Sequence, residues 1–161
     1  MRRADHVHPA GQWPRERARA TVTLAYDDRH RRRVRLVADD GGDFLLDLPD
    51  AIVLRDGDGL RLDDGTWLAV RAADEQVCDI ACPTPEALAR IAWHLGNRHL
   101  PVQIIDGGLR IRDDHVIVEM LHGMGAAVLR RQAPFDPEGG AYARPHGHAH
   151  AHEHGHHHHH D

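Results

Sequence analysis

The chain has 161 residues and a formal net charge of −5, enough length for one large domain or two small ones. All 20 basic residues are arginine, and the acidic balance excludes a protein that mainly binds nucleic acid, because no positive surplus is available for phosphates. No apolar run reaches 18 residues and no signal peptide follows Met1, so we expect a cytoplasmic protein without membrane contact. The unusual number is 17 histidines, ten of which fall in the last sixteen residues.

The first half of the chain shows the signals of β-strands. Residues 1–20 lack apolar periodicity and contain proline, glycine and charge, which predicts a flexible arm. Residues 21–75 then predict a small all-β domain of about six strands, because short apolar segments alternate with Asp-Gly turns. The predicted strands cover residues 21–26, 34–36, 45–48, 52–54, 60–62 and 67–70.

The second half predicts a different fold. Over residues 76–143 the apolar pattern alternates between strand and helix periods in the order βαββαβ, which is typical of a ferredoxin-like domain. Thr84 and Asp114 are expected to cap the two helices, and Gly96 or Asn97 to end the first. Residues 144–161 form a low-complexity tail that we expect to be disordered. The predicted fold class is therefore α+β with a His-rich tail.

The tail predicts metal binding. Neutral imidazole is a good ligand for Ni(II), Zn(II) and Cu(II), and ten imidazoles on a flexible segment offer several overlapping ligand sets. Such a set favours acquisition and release of an ion over a rigid catalytic geometry. A purification tag is the alternative explanation for the final run, although it does not explain the alternating part. The candidate ligands are His146, His148, His150, His152, His154, His156, His157, His158, His159 and His160.

Four further histidines lie within the predicted ferredoxin-like domain. His94 and His99 are five residues apart and would not share one ion in a continuous helix, but a break at Gly96-Asn97 places His99 on a loop. His115 begins the second helix, and His122 lies two turns later, where it complements the helix dipole. Whether His94 or His122 binds a metal stays open at this point.

Two other sets have simpler explanations. Cys78 and Cys82 lie on one predicted strand, about 13 Å apart, so we interpret them as buried apolar residues rather than a metal pair. The arginine-rich residues 29–35 are a candidate phosphate-binding patch, but acidic neighbours favour a solvated strand edge. No nucleotide-binding loop, nucleophile elbow or zinc-protease motif is present, so we expect a protein that is not an enzyme.

Four segments, in the same order, resemble the UreE family of urease accessory proteins. They are LRDGD followed by DDG at residues 54–58 and 63–65, ARIAWHLGNRHLPVQI at 89–104, DHVI followed by ML at 114–121, and FDPEGGAY at 135–142. The second segment is the most specific. The resemblance covers nearly all of residues 21–160.

The resemblance implies a nickel metallochaperone that delivers Ni(II) for assembly of the urease active site. It implies a peptide-binding-like first domain and a metal-binding second domain that forms a homodimer. His99 is implied as the nickel ligand at the dimer interface, and His115 as a further ligand. Some relatives have another histidine two residues before the latter, where this chain has Asp113. The implied partners are the urease apoprotein complex and its accessory GTPase.

Two other functions remain open on the sequence. The tail alone would suit storage or buffering of metal, and the first domain alone would suit a peptide-binding co-chaperone with a regulatory metal.

Overall fold

The computed structural model describes residues 1–139, which form an N-terminal β domain and a C-terminal α+β domain. The strands of the N-terminal domain are β1 (Arg3–Ala4), β2 (Val7–His8), β3 (Ala18–Leu24), β4 (His30–Val37), β5 (Asp43–Val53), β6 (Gly59–Arg61) and β7 (Trp67–Ala72). They form two sheets, of order β1-β5-β4 and β2-β6-β7-β3. Phe44 and Leu46 from one sheet share an apolar core with Leu60 and Val70 from the other. The predicted small all-β domain is confirmed.

The structure differs from the predicted flexible arm over residues 1–20. Ala4 is fully buried, and the short strands β1 and β2 pair with β5 and β6. Trp13 stacks on Trp67 with ring centroids 5.4 Å apart, and its indole N–H donates to the Gly57 carbonyl at 3.0 Å. Two-residue strands are too short to show a periodic pattern in the sequence. Pairing with distant strands therefore orders a segment for which the local sequence predicted no structure.

Two details of the predicted strands are also wrong. The segments at residues 45–48 and 52–54 belong to the single strand β5. Its pairing with β4 is interrupted, because Arg31 lies opposite Ile52 whereas Arg33 lies opposite Asp47. Pro49, which has no N–H to donate, falls in this irregular stretch and accounts for the apparent break in the pattern. A short helix, α1 (Tyr26–Arg29), follows β3 in place of the predicted strand end.

The C-terminal domain has the predicted ferredoxin-like order. Its elements are β8 (Asp74–Ala81), α2 (Pro85–Asn97), β9 (Gln103–Ile105), β10 (Gly108–Arg112), α3 (His115–Gly123) and β11 (Ala127–Pro134). The sheet has the order β11-β8-β10-β9 and all its pairs are antiparallel. As predicted, the Thr84 hydroxyl accepts the Ala87 N–H at 3.1 Å and Asp114 accepts the first amides of α3. No helix within residues 1–139 is long and apolar enough to cross a membrane.

The two domains contact each other through α1. The Tyr26 ring lies edge-to-face against Phe135, with centroids 5.6 Å apart, and its backbone N–H donates to the Glu75 carboxylate at 3.0 Å. Asp27 accepts a hydrogen bond from Arg112 at 2.9 Å. Phe135, which follows β11, is fully buried at this contact.

The packing of Trp13 predicts a large loss of stability on truncation. We expect Trp13→Ala to lower the free energy of unfolding by about 3 kcal/mol, because it removes a buried ring and its hydrogen bond. Urea denaturation followed by circular dichroism measures this. Arg15→Ala, at an exposed neighbouring position, is the control and should change stability by less than about 0.5 kcal/mol. Equal stability of the two variants would mean that the first twenty residues do not pack.

Candidate metal-binding site

His99 lies just beyond the end of α2 in a left-handed backbone conformation. Its φ is +56°, and it is the only residue other than glycine with a positive φ in the described part of the chain. Its N–H donates to the Gly96 carbonyl at 3.0 Å, and the next N–H, of Leu100, donates to the Leu95 carbonyl at 3.3 Å. These two bonds form a Schellman motif, which places the left-handed residue at the first position after the helix cap.

Glycine usually occupies this position, because a side chain there costs about 1 kcal/mol or more. The sequence offered Gly96 and Asn97 as the residues that end the helix. Asn97 is the last residue of α2, as predicted, but the left-handed conformation falls on His99, two residues later. The His99 side chain is exposed. A strained and exposed histidine at a position that favours glycine points to a role for its imidazole.

Apolar packing holds the backbone around His99. Leu95 is fully buried in the core of the C-terminal domain, and Leu100 packs against the same core. This pair is the apolar contact that accompanies a Schellman motif. Pro101 then restricts the backbone before β9 begins. The loop therefore has little freedom to turn the imidazole of His99 away from the surface.

His115 lies at the same end of the domain. It is the first residue of α3 and is exposed. Leu100 and Pro101, directly after His99, line a cavity of about 300 Å³ together with Asp113 and Asp114, directly before His115. The fold therefore brings the segments next to His99 and His115 to one cavity, although the two histidines are sixteen positions apart in the chain and neither lines the cavity itself.

Asp113 already has two partners. Its Oδ1 accepts from Arg130 Nε at 3.2 Å and from the Cys78 thiol at 3.3 Å. The Arg130 hydrogen bond, followed by that of Cys78, holds the pKa of Asp113 below its ordinary value. An ionised carboxylate compensated by a guanidinium is a poorer ligand than a free one, so this position differs chemically from a histidine.

Cys78 is buried, as the sequence predicted. Burial, and then the hydrogen bond to Asp113, raise the pKa of its thiol to about 11. Because metals bind the thiolate, this cysteine is not prepared as a ligand. Cys82 is partly buried and packs against the same core.

The other histidines in the domain are separate from His99. His94 is half-buried on α2 with its ring 5.0 Å from Trp93, and His122 is exposed in the last turn of α3. No three histidine, cysteine or carboxylate side chains within residues 1–139 converge on a common metal position. The ten tail histidines, from His146 to His160, lie outside the described residues.

Comparison with known proteins identifies the family. A family model described as UreE urease accessory protein, N-terminal domain, matches residues 2–73, and its C-terminal counterpart matches residues 75–160. The chain belongs to the UreE family. The two matches meet between β7 and β8, where the chain passes from one domain to the other.

Individual UreE proteins are similar along most of their length. The urease accessory protein UreE of Rhodopseudomonas palustris strain BisB18 is 55% identical over 145 residues, which cover 90% of this chain and 68% of the relative. That of Beijerinckia indica is 52% identical over 143 residues, covering 89% and 82%. That of Rhodobacter capsulatus is 48% identical over 142 residues, covering 88% and 87%.

Sequence reasoning missed one set of residues. Arg29 was assigned to a solvated edge, but it is fully buried, and both it and Arg55 contact Asp136 from the other domain. The other arginines of that segment do form exposed ion pairs, such as Arg35 with Asp43 at 2.7 Å. Asp136 belongs to the segment FDPEGGAY, which carries part of the family resemblance. The sequence of that segment alone did not predict a contact between the domains.

The strain at His99 predicts a stability gain on substitution. We expect His99→Gly to raise the free energy of unfolding by about 1 kcal/mol, because glycine adopts a positive φ without a steric cost. His94→Gly, inside α2, should lower it by about 1 kcal/mol. Thermal and urea denaturation of the metal-free protein measure both changes. A loss of stability in His99→Gly would contradict the assigned strain.

The raised pKa of Cys78 predicts selective thiol chemistry. At pH 8 a group with a pKa near 11 is about 0.1% ionised, so iodoacetamide should label Cys82 and leave Cys78 unmodified. Peptide mass spectrometry identifies the labelled site, and Cys82→Ser should abolish labelling of the folded chain. In urea both cysteines should react. Labelling of Cys78 in the native protein at a rate near that of Cys82 would overturn the assignment.

Proposed function

We propose that this chain is a nickel metallochaperone that binds Ni(II) as cargo and delivers it for assembly of the urease active site. The observation that carries the proposal is the exposed His99, held in a left-handed conformation at the end of α2. A strained position persists only where the surrounding structure enforces it, and such positions concentrate at functional sites. Membership of a urease accessory family agrees with this cargo.

The proposed site is completed by a second copy of the chain. In a dimer with twofold symmetry, a residue near the axis meets its own copy. Two His99 imidazoles would then bind one ion. His115 would be a further ligand, since the residues before it line the same cavity as the residues after His99. The exposed Trp93, 62% accessible on α2, supplies apolar surface near this end of the domain that a dimer contact would cover.

The tail is proposed to complete the coordination. Ni(II) accepts more than two ligands, and the alternating histidines beyond residue 144 supply further imidazoles. Ligands that come from two chains and from a separate terminal segment exchange more readily than those of a closed structural site. Ready exchange suits a protein that must give up its ion. Imidazole also binds Zn(II) and Cu(II), so both are expected as competing ions.

The proposed partners follow from the same role. The ion is handed to the urease apoprotein complex through its accessory GTPase, in the cytoplasm, and the chain itself catalyses no reaction. The N-terminal β domain is proposed to contact these partners, because the family resemblance implies a peptide-binding-like domain.

Calorimetric titration with Ni(II) tests the site directly. His99→Asn is the sharpest variant, because asparagine tolerates the left-handed conformation but does not replace the imidazole. We expect it to weaken the tightest nickel site by more than about 100-fold, since both copies lose a ligand. His94→Asn, one helical turn earlier, is the matched control and should bind as the wild type does.

A chain ending at Arg144 separates the tail from His99. We expect this variant to bind fewer ions and to hold the first one less tightly, while remaining dimeric with nickel. Activation of apo-urease should then fall in both His99→Asn and the shortened chain. If His99→Asn keeps the tightest site and only the shortened chain loses nickel, the protein stores metal in its tail and the chaperone proposal fails.

Nickel affinity should fall as the solution is acidified. Imidazole binds metal only when deprotonated, and its ordinary pKa is about 6.5, so affinity should weaken steeply between pH 7 and pH 5. Competition with a chelator of known affinity at each pH measures this. A flat profile across that range would exclude histidine as the principal ligand.

A further inference from the structure

Residues 135–138, which we call the interdomain strap, connect the N-terminal domain to the loop that bears His99. After β11 the chain leaves the sheet, and Phe135 becomes fully buried beside Val77, Ala133 and Tyr26. Tyr26 belongs to the N-terminal domain, whereas Val77 belongs to β8. The strap therefore starts inside the contact between the domains.

Asp136 is the charged centre of this strap. Its Oδ1 lies 3.2 Å from Nη1 of Arg29 and 3.3 Å from Nε of Arg55, two arginines of the N-terminal domain. The same guanidinium groups donate to the carbonyl oxygens of Phe135 and Pro137. The strap is thus bound to the N-terminal domain by ion pairs and backbone acceptors together.

Arg29 makes this contact hard to replace. It is fully buried, and its Nε has no hydrogen-bond partner in the described part of the chain. A buried cation is costly unless an anion is close, and Asp136 is the carboxylate paired with it. The Arg29 carbonyl in turn accepts the Leu54 N–H at 2.8 Å, which ties the two arginine-bearing segments to each other.

The other side of the strap contacts the His99 loop. The Asp136 N–H donates to the Gln103 side chain at 3.0 Å, and the Glu138 N–H donates to the Val102 carbonyl at 2.8 Å. Val102 is three residues after His99. The loop is therefore held at its start by the Schellman hydrogen bonds of α2 and at its end by the strap.

We propose that the interdomain strap is a positioning element for the metal site, with Asp136 as its anchor and His99 as the residue that it positions. A histidine backbone in the left-handed conformation returns to a less strained conformation when the surrounding structure no longer holds it there. Release of Asp136 would free the backbone at Val102 and Gln103, and so allow the His99 loop to relax. The inference rests on the proposed role of His99 in binding nickel.

Asp136→Asn, made in the full-length chain, tests the proposal. We expect the tightest nickel site, measured by calorimetry, to weaken about tenfold, a size typical for groups that position a ligand. Hydrogen exchange of the metal-free protein should be faster at the His99, Leu100 and Glu138 amides, also by about tenfold.

Asp47→Asn is the matched control. Asp47 also lies near two arginines, Arg3 at 3.2 Å and Arg33 at 3.9 Å, and its side chain is 15% exposed against 21% for Asp136. It removes the same charge, and its ion pairs in the described part of the chain lie within the N-terminal domain. It should leave nickel affinity within twofold of the wild type and exchange at the loop amides unchanged, even where its melting temperature falls.

If Asp136→Asn fails to fold, Gln103→Leu is the alternative test variant. It removes the side-chain oxygen that accepts the Asp136 N–H and leaves the ion pairs of Asp136 with the arginines intact. It should weaken the same site several-fold. The proposal is overturned if the folded variant melts earlier but keeps wild-type affinity and loop exchange. If His99→Asn keeps the tightest site, the chaperone proposal fails instead, and the exchange measurement alone decides the role of the strap.

Discussion

A guanidinium that has lost contact with water needs an anion, and Arg29 obtains one from the other domain. Its pairing with Asp136 joins a short helix that follows β3 to a segment that follows β11. Among the hydrogen bonds within residues 1–139, few connect residues so distant in sequence. The contact between the two domains includes this buried charge, and the strap that provides Asp136 also bonds to the end of the loop that carries His99. An electrostatic requirement in one half of the molecule thereby constrains the geometry of the other half.

The proposed metal site follows a different rule, in which local backbone strain is accepted in order to place a histidine side chain. A glycine at position 99 would end α2 at lower cost, and the chain instead has an imidazole there. The buried Leu95 and its partner Leu100 compensate for this cost by apolar packing. Proteins commonly give up stability where function requires an unusual residue, and the proposed role of His99 would make the end of this helix an example.

Elements that depend on local periodicity and capping residues were predicted correctly from the sequence. Features that depend on contacts between distant residues were not. Thr84 and Asp114 located both helices of the C-terminal domain, because caps act locally. The first twenty residues were misjudged, because two-residue strands and the stacking of Trp13 on Trp67 depend on partners some fifty residues away. The burial of Arg29 was missed for the same reason, since its partner is over a hundred residues distant. His99 was found through a family motif, but its left-handed backbone was not expected beside two better candidates, Gly96 and Asn97.

The distribution of the three tryptophans gives each domain its own intrinsic fluorophore. Trp13 and Trp67 are stacked and buried in the N-terminal domain, whereas Trp93 of α2 is exposed. We therefore expect the buried pair to emit at shorter wavelength than Trp93. Trp93 lies on α2 and His99 follows six positions later, just beyond the end of the same helix. A paramagnetic ion bound at His99, as proposed, would therefore be expected to quench the long-wavelength component selectively. Unfolding of the β domain shifts the short-wavelength one, so a single emission spectrum separates loading of the ion from loss of the fold.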